Sequence, residues 1–479
     1  MAKAKKSETS LTLEEKLEQA LIADDEQPYN VPENWCWVEL QLLCSIPITD
    51  GTHKTPKYCD ADNGIPFISA KDVTGQYINW ENIKYITMEL HEELHKRLAP
   101  QINDILLAKN GTTGVAAIVD TEKIFDIYVT LAILRINSNI AVPKYVLHLI
   151  NSPICKIQFD EHLTGIGVPN LHLRDIKVTQ IPFPPLAEQQ RIVDRIESLF
   201  SKLDEVKENV QNVINVFENR KSAILHKAFN GELSAKWREE NNRNIAEWKN
   251  KKLGEYAFVT KLAGFEYTKN IAPNLVNNGV PLFKGKNVQE GTLILKFESF
   301  IPKSVSDELP RSKLTKKCLL TPYVGTIGNI ALFDGSFEAH LGSNVGKIEI
   351  EKETFEEYLL YYLRSDFGYK ELTKQKKATA QESISIQAIR DVITILPSLE
   401  EQHEIVRILD STLSKEQQAK EKAEEVLERI ELIKKSILAR AFRGKLGTNN
   451  PDEESSLELL KMVLSEDKDE KTSSKSKSK

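Results

Sequence analysis

Two histidines four residues apart, His91 and His95 in the stretch HEELH, have the spacing best suited to chemistry in this 479-residue chain. On a helix that spacing sets two imidazoles on one face, an arrangement that grips zinc with the intervening Glu92 as general base. No third ligand follows nearby. There is no G-x-x-H continuation, Glu122 lies in a turn-like DTEK stretch, and the surrounding HEELHKRLAP is polar. The segment is read as an exposed, charge-rich helix turn, and no metal ligand is assigned. GSNVGK at 342 to 347 is one residue short of a phosphate-binding loop and has Ile348 where Ser or Thr would hold magnesium, so it reads as a strand turn. No G-x-G-x-x-G, no G-x-S-x-G and no Asn or Asp before Pro-Pro and an aromatic is present, so no nucleotide, acyl-transfer or amino-methyltransferase centre is assigned. Five cysteines without a C-x-x-C pair suggest buried thiols instead of disulfides or a thiolate zinc site. The chain reads as non-catalytic.

What remains is a set of polar turns. Ser69, Lys71 and Asp72 follow an apolar run, and Lys109, Thr112 and Thr113 surround a GTTG turn. Lys284, Lys286 and Asn287 are their counterparts further on, with Thr326 and Asn329 around a GTIG turn. Lysines and amides can hydrogen-bond to base edges, and Gly-Thr turns let backbone amides approach phosphates. The alternative is ordinary hairpin punctuation.

These turns come in pairs because the chain is written twice. A lag of 213 residues aligns 184 to 233 with 397 to 446, PPLAEQQRIV against PSLEEQHEIV and KSAILHKAFNGEL against KKSILARAFRGKL. Upstream, NGIPFISAKDV resembles NGVPLFKGKNV and GTTG resembles GTIG. Each copy opens on a tryptophan segment, at Trp35 and Trp37 or at Trp248. The organisation read from this is an extension over 1–27, domains at 28–185 and 246–397, helical spacers at 186–245 and 398–447, and a tail at 448–479. Two copies are too few for a solenoid and favour a pseudo-twofold arrangement. The tail reads as mostly disordered beyond a short helix near Leu457 to Leu464, and residues 11–23 as an amphipathic helix.

The repeated spacer is helical by periodicity. Ile192, Ile196, Leu199, Leu203, Val206, Val210, Val213, Phe217 and Ile224 alternate in fours and threes, with Arg220 interrupting. In the second copy Ile405, Leu409, Ala419, Ala423, Val426, Ile430, Ile433 and Ile437 keep the register, while Thr412 and Glu416 weaken its first half. Each apolar seam needs a partner helix, and the other copy in the same chain supplies one if the two run antiparallel. A helix of about 44 residues is about 66 Å long, a rod able to hold two domains apart.

Composition is that of a globular protein: 41% hydrophobic residues, 28% charged, net charge −6. No apolar run is long enough to span a membrane and no secretory signal is read, so a cytoplasmic location is expected. The first domain carries a net charge of about −4 and the second about +3, so any polyanion contact must be local. The densest basic cluster, Arg311, Lys313, Lys316 and Lys317, suits phosphate or a solvated face equally.

At the doubled P-L-x-E-Q-x-x-I-V with its later A-F-x-G-x-L, each behind a domain of some 150 residues, nearly the whole chain resembles the specificity subunits of Type I restriction-modification systems. The resemblance implies an α+β fold: two β-rich α/β target recognition domains joined by two long helices in an antiparallel intramolecular coiled coil. It implies that each domain reads half of an asymmetric, bipartite site in double-stranded DNA. It further implies two modification subunits carrying S-adenosylmethionine and two restriction subunits using ATP and magnesium, with no cofactor on this chain. The competing readings are a coiled-coil adaptor that does not read DNA and, on five residues only, a zinc peptidase.

Overall fold

The computed structural model describes residues 12–164, 169–374 and 382–465. Its contacts fall into two units, Met1–Glu208 with Leu427–Lys479, and Asn209–Val426.

In the first unit, strands β1 (Thr49–Asp50), β2 (Tyr58–Cys59), β3 (Ile65–Ile68) and β4 (Lys84–Ile86) precede helix α1 (Met88–Arg97). Strands β5 (Ile105–Ala108), β6 (Ala116–Ile118), β7 (Asp126–Ile127) and β8 (Leu131–Leu134) lead to helix α2 (Pro143–Ile150) and the long helix α3 (Leu186–Phe229). They make two sheets, ordered β1-β8-β5-β6 and β7-β3-β4-β2. Strands β5 (ILLA) and β8 (LAIL) are continuous apolar runs because both of their faces are covered. Alternate residues divide between two cores. Ile105, Leu107, Ala132 and Leu134 pack with Tyr145, Val146 and Leu149 of α2, whereas Leu106, Ala108, Leu131 and Ile133 face Ile68 and Ile127 of the second sheet and Phe125 just before β7.

The second unit repeats the plan with strands β9 (Ala257–Lys261), β10 (Val280–Phe283), β11 (Phe300–Ile301), β12 (Lys313–Leu314), β13 (Cys318–Pro322), β14 (Ala331–Phe333), β15 (Ala339–Leu341) and β16 (Val345–Ile350). Helix α4 (Glu356–Arg364) and the long helix α5 (Leu399–Ala441) follow. The sheets are β9-β16-β13-β14 and β11-β10-β15-β12. The first matches its counterpart strand for strand. In the second, β15-β10-β11 matches β7-β3-β4, including the parallel pairing of the first two, and the extra edge strand lies on opposite sides. In each unit a two-stranded antiparallel ribbon, Cys36–Glu39 with Gln180–Phe183 or Lys249–Lys252 with Ile393–Leu396, brings the start of the globular segment to its end.

The repeated motifs are the joints of this design. Gln189 donates to the carbonyls of Ile140 and Pro184 (both 3.0 Å) and accepts from the Val142 amide (2.9 Å), tying the start of α3 to its domain. Gln402 repeats this on Glu353 and Pro397 (both 3.0 Å) and the Thr354 hydroxyl (2.7 Å). The neighbouring glutamates receive the end of the other long helix. Glu188 accepts from Thr448 (2.6 Å), and Glu401 from Ser234 (2.8 Å) and Arg238 (2.6 Å). The phenylalanine of A-F-x-G-x-L docks there too, Phe442 against Tyr145 and Phe229 against Tyr358 and Tyr362. Its glycine stands at positive φ, +88° at Gly231 and +67° at Gly444, where a Cβ would lie 2.3 Å from Ile245 and 2.4 Å from Pro32.

Within each unit the long helices pair antiparallel. In the first, Lys207 meets Glu431 (2.6 Å) and Lys434 meets Asp204; in the second, Lys420 meets Glu218 (3.0 Å) and Arg220 meets Glu416 (2.6 Å). Arg220 and Glu416, two apparent breaks in the seam, therefore complete one another. The phase of the seam needs correcting: Val206, Val213, Val426 and Ile433 are exposed, as is Ala419. The inward positions run through Phe200, Leu203, Val210, Ile214 and Phe217 on α3, with Lys207 exposed at the edge, and through Leu413, Glu416, Lys420, Ala423, Leu427, Ile430 and Lys434 on α5. Lysine occupies such positions by laying its aliphatic stem on the seam and its ammonium on an opposing acid. Lys434 also lies 5.0 Å over the Phe200 ring. The remaining predicted seam residues, including Ile192, Ile196, Ile405 and Leu409, are buried or half-buried.

The ends are also partly built in. A helix over Leu13–Ala20 is held by Lys16 on the Leu464 carbonyl (2.8 Å). Residues 448–465 pack on the first unit through Glu453 on Arg191 (2.7 Å) and buried Leu460, so only 466–479 of the expected disordered tail lie outside the described residues.

Burial of a titratable ring in the first core has a measurable consequence. His148 on α2 is 2% exposed, touches Gln76 at 3.3 Å and stands edge-on to Phe200, and burial lowers its pKa to about 4. Its folded-state pKa lies below the unfolded one of about 6.5, so its stabilising effect is complete above pH 6.5 and is lost as pH falls towards 4. Relative to His148→Gln, the protein is expected to lose about 3 kcal/mol of stability between pH 7 and 4, from urea unfolding at each pH. Parallel pH curves for the two proteins would show that the ring does not titrate in this way.

Candidate nucleic-acid interface

Strand β3 runs into a tight turn whose geometry is dictated by one carboxylate. The backbone amide and hydroxyl of Ser69 both donate to Asp72 (2.8 Å each), which buries Asp72 and turns Lys71 outward. The GTTG turn is drawn to the same place, because the Thr112 hydroxyl donates to the Ala70 carbonyl (3.1 Å). Gly111 at its tip has φ +77° and open space around it, and Thr112 beside it is exposed. Ser69, Lys71 and Thr112 therefore share one edge, and an open groove of about 490 Å³ runs beside it past Asn110 and Gly111.

The groove wall holds residues that sequence reasoning missed. Tyr58 is 44% exposed, Lys84 lies 4.0 Å over its ring, and Phe67 and Tyr128 follow alongside with their rings tilted, Phe67 6.4 Å from Tyr58 and 5.8 Å from Tyr128. The signal was a pair of lysine-aromatic clusters, KYC at 57–59 and KYI at 84–86. The exposed Tyr58 ring beside lysine suits both stacking on bases and contact with phosphate.

Two predicted contacts lie beneath this surface. Lys109 is buried, with its ammonium 2.6 Å from Asp50, and Thr113 is buried with its hydroxyl on backbone carbonyls. Both hold the floor, and neither reaches solvent as a reader must.

The second unit builds the same turn. The Lys284 amide donates to Asn287 (2.9 Å), and buried Asn287 donates onward to the Ile294 and Lys296 carbonyls. Asn287 is a scaffold residue and not an exposed contact. Asn329 likewise holds the Val288 carbonyl (3.2 Å). Lys284 points to Ser299 (2.8 Å), while Lys286 is exposed beside Glu298 and Thr326 is exposed at the tip next to Gly325. Where the first unit has the Asp50–Lys109 pair, the second has Lys261 lying 4.3 Å over Tyr323. One frame thus carries two different chemistries. The basic cluster is already neutralised locally: Arg311 pairs with Glu266, Lys313 with Asp307 and Glu338, Lys316 with Glu349 and Lys317 with Glu357.

The HEELH segment forms the middle of α1, and a third donor arrives from 31 residues downstream. Asp126, 2% exposed on its side chain, lies 2.7 Å from His91 Nδ1 and 3.7 Å from His95 Nδ1. The five cysteines are free, but only Cys155 and Cys318 are fully buried; the others are half-buried.

A family model described as the Type I restriction modification DNA specificity domain matches residues 32–216 and again 245–429. The chain belongs to that family. Both matches are offset by the 213 residues of the internal repeat, and each ends inside a long helix. Curated relatives of the family include the EcoKI specificity subunit of Escherichia coli K12, 24% identical over 91% of this chain and 96% of the relative. The MjaVIII specificity subunit of Methanocaldococcus jannaschii is 26% identical over 74% of this chain and 82% of its own length. Among solved structures, the HsdS subunit of Thermoanaerobacter tengcongensis aligns over 87% of this chain and 99% of its own at a TM-score of 0.53 and 21% identity. A chain from work on complex assembly and conformational transition of the type I R-M system aligns over 87% and 100% at 0.65 and 20%. At these identities the structural likeness establishes the fold: two β-rich domains and a pair of long helices. No helix among the described residues is long and apolar enough to cross a membrane.

Proposed function

We propose that this chain is the non-catalytic specificity subunit of a Type I restriction-modification complex, and that each domain reads one half of a bipartite, asymmetric DNA site. One observation carries the reading: a single frame occurs twice with different side chains at equivalent positions, Ser69 against Lys284 at the head of the turn, and beneath it the buried Asp50–Lys109 pair against Lys261 over Tyr323. A coiled-coil adaptor has no need of such divergence, and two unlike half-sites require it. Lys71, Lys84 and Tyr58 are the base and phosphate readers of the first domain, with Lys286, Thr326 and Lys261 in the second.

The long helices set the spacer between half-sites and dock two modification subunits, which carry S-adenosylmethionine. Exposed apolar residues suited to that docking are Val206, Leu432 and Ile433 in the first unit and Val213, Val216 and Val426 in the second. Two restriction subunits supply the ATP- and magnesium-dependent steps, and the complex works in the cytoplasm. Co-expressing the chain with its modification subunit and mapping methylated bases tests the reading. A bipartite motif with a fixed spacer that disappears without this chain is expected. Methylation indifferent to the chain, despite a stable complex, would hand the function to the adaptor.

A further inference from the structure

We propose that His91, His95 and Asp126 form a binding site for one divalent ion of the zinc class, structural in role. The helix supplies the first condition, because four-residue spacing sets the two imidazoles side by side with ring centroids 4.7 Å apart. The sheet supplies the second by bringing Asp126 at the start of β7 under them, with one donor atom from each residue within 4.8 Å of the others. The third condition is unmet valence. His95 Nδ1 and Asp126 Oδ1 are both buried without a hydrogen-bond partner, although they face one another at 3.7 Å. A buried lone pair left unmatched is costly, and a cation between the two atoms satisfies both at once.

The donor set selects the ion. Two imidazole nitrogens and one carboxylate oxygen suit a borderline transition ion such as zinc and ill suit magnesium or calcium, which prefer all-oxygen shells. Bonds of about 2.0–2.2 Å at tetrahedral angles hold ligand atoms roughly 3.3–3.6 Å apart, close to the 3.7 Å between His95 Nδ1 and Asp126 Oδ1, while His91 Nδ1 lies 2.7 Å from the other carboxylate oxygen, Oδ2. A small open hollow lined by Gly51, Leu94, Arg97 and Ile127 adjoins the Asp126 carboxylate, but neither histidine lines it, so the three protein donors alone define the site. The Asp126 carboxylate is buried and Glu92 lies exposed, so the peptidase suggested by HEELH is not what this geometry builds. The ion's effect is to fasten α1 to β7. Two residues beyond Asp126, the Tyr128 amide bonds to Ile68 (2.9 Å) and its ring lines the groove.

The test uses the full chain freed of any histidine tag, loaded with zinc and dialysed. One zinc per chain is expected by elemental analysis, with a melting temperature that rises on adding zinc. Cobalt in its place is expected to show the intense visible bands of a four- or five-coordinate site. His95→Ala and Asp126→Asn should each weaken binding at least about tenfold, since losing even an outer-shell partner of a ligand typically costs about 10- to 100-fold, and Glu92→Gln should not change it. A measurement without variants runs beside these: zinc should slow diethyl pyrocarbonate modification of His91 and His95 in the wild-type chain, read by peptide mapping. Failure of the wild-type chain to retain zinc, retention undiminished in His95→Ala and Asp126→Asn, or unprotected histidines would each overturn the site.

Discussion

Glu401→Ala is expected to destabilise the second unit by about 3–5 kcal/mol, the usual result of stripping one partner from a buried ion pair. The carboxylate is 3% exposed and accepts from Arg238 (2.6 Å), Ser234 (2.8 Å) and Trp248 Nε1 (2.9 Å). Alanine leaves the Arg238 guanidinium, itself only 10% exposed, with no counter-charge, and leaves two further donors unmatched. The site joins the start of α5 to the segment after α3, so the loss falls on the joint between the long helices within that unit. Urea unfolding of wild type and variant measures it. Glu404→Ala serves as the contrast: its partner Arg407 is 69% exposed, and surface pairs contribute about 0–1 kcal/mol. If the two variants cost the same, the joint is not what holds the helix ends together.

Tyr58→Ala combined with Lys84→Ala is expected to weaken cognate DNA binding by the intact complex roughly 30- to 20,000-fold. Stacking on an aromatic ring and a good base contact are each worth about 1–3 kcal/mol, and about 1.4 kcal/mol corresponds to tenfold. Both side chains stand at the groove mouth, Tyr58 44% exposed with Lys84 4.0 Å above it, so folding stability should change little. Fluorescence anisotropy on DNA of the mapped motif reads the affinity, and denaturant unfolding the stability. Unchanged affinity would remove this groove from the interface and return the reading role to the turns of Lys71 and Thr112 alone.

Much of this architecture was legible because repetition is a strong signal. An ungapped match at a lag of 213 located the long helices, and the P-L-x-E-Q and A-F-x-G-x-L motifs lie where the structure has its joints. The middle of the seam was misread because Val206 and Val213 fit the spacing of fours and threes as well as Val210 and Ile214 do, and hydrophobicity alone cannot foresee Lys420 and Lys434 lying on the seam against Glu218 and Asp204. Among the reading residues, the turns were found but not their depth. Lys109 and Asn287 resemble exposed contacts until Asp50 and the Ile294 carbonyl are seen beside them, 59 and 7 residues away in sequence. Asp126 was missed as a partner of His91 and His95 for the same reason: sheet topology brings it there, and a local motif search stops before it.

Exchanging residues 28–185 for the matching segment of a family member with a different specificity, then mapping methylation in cells holding the hybrid and its modification subunit, tests the central claim most directly. One half of the bipartite motif should change while the other half and the spacer length stay the same. A hybrid that keeps the parental motif, or one in which both halves change together, would contradict the assignment of one half-site to each domain.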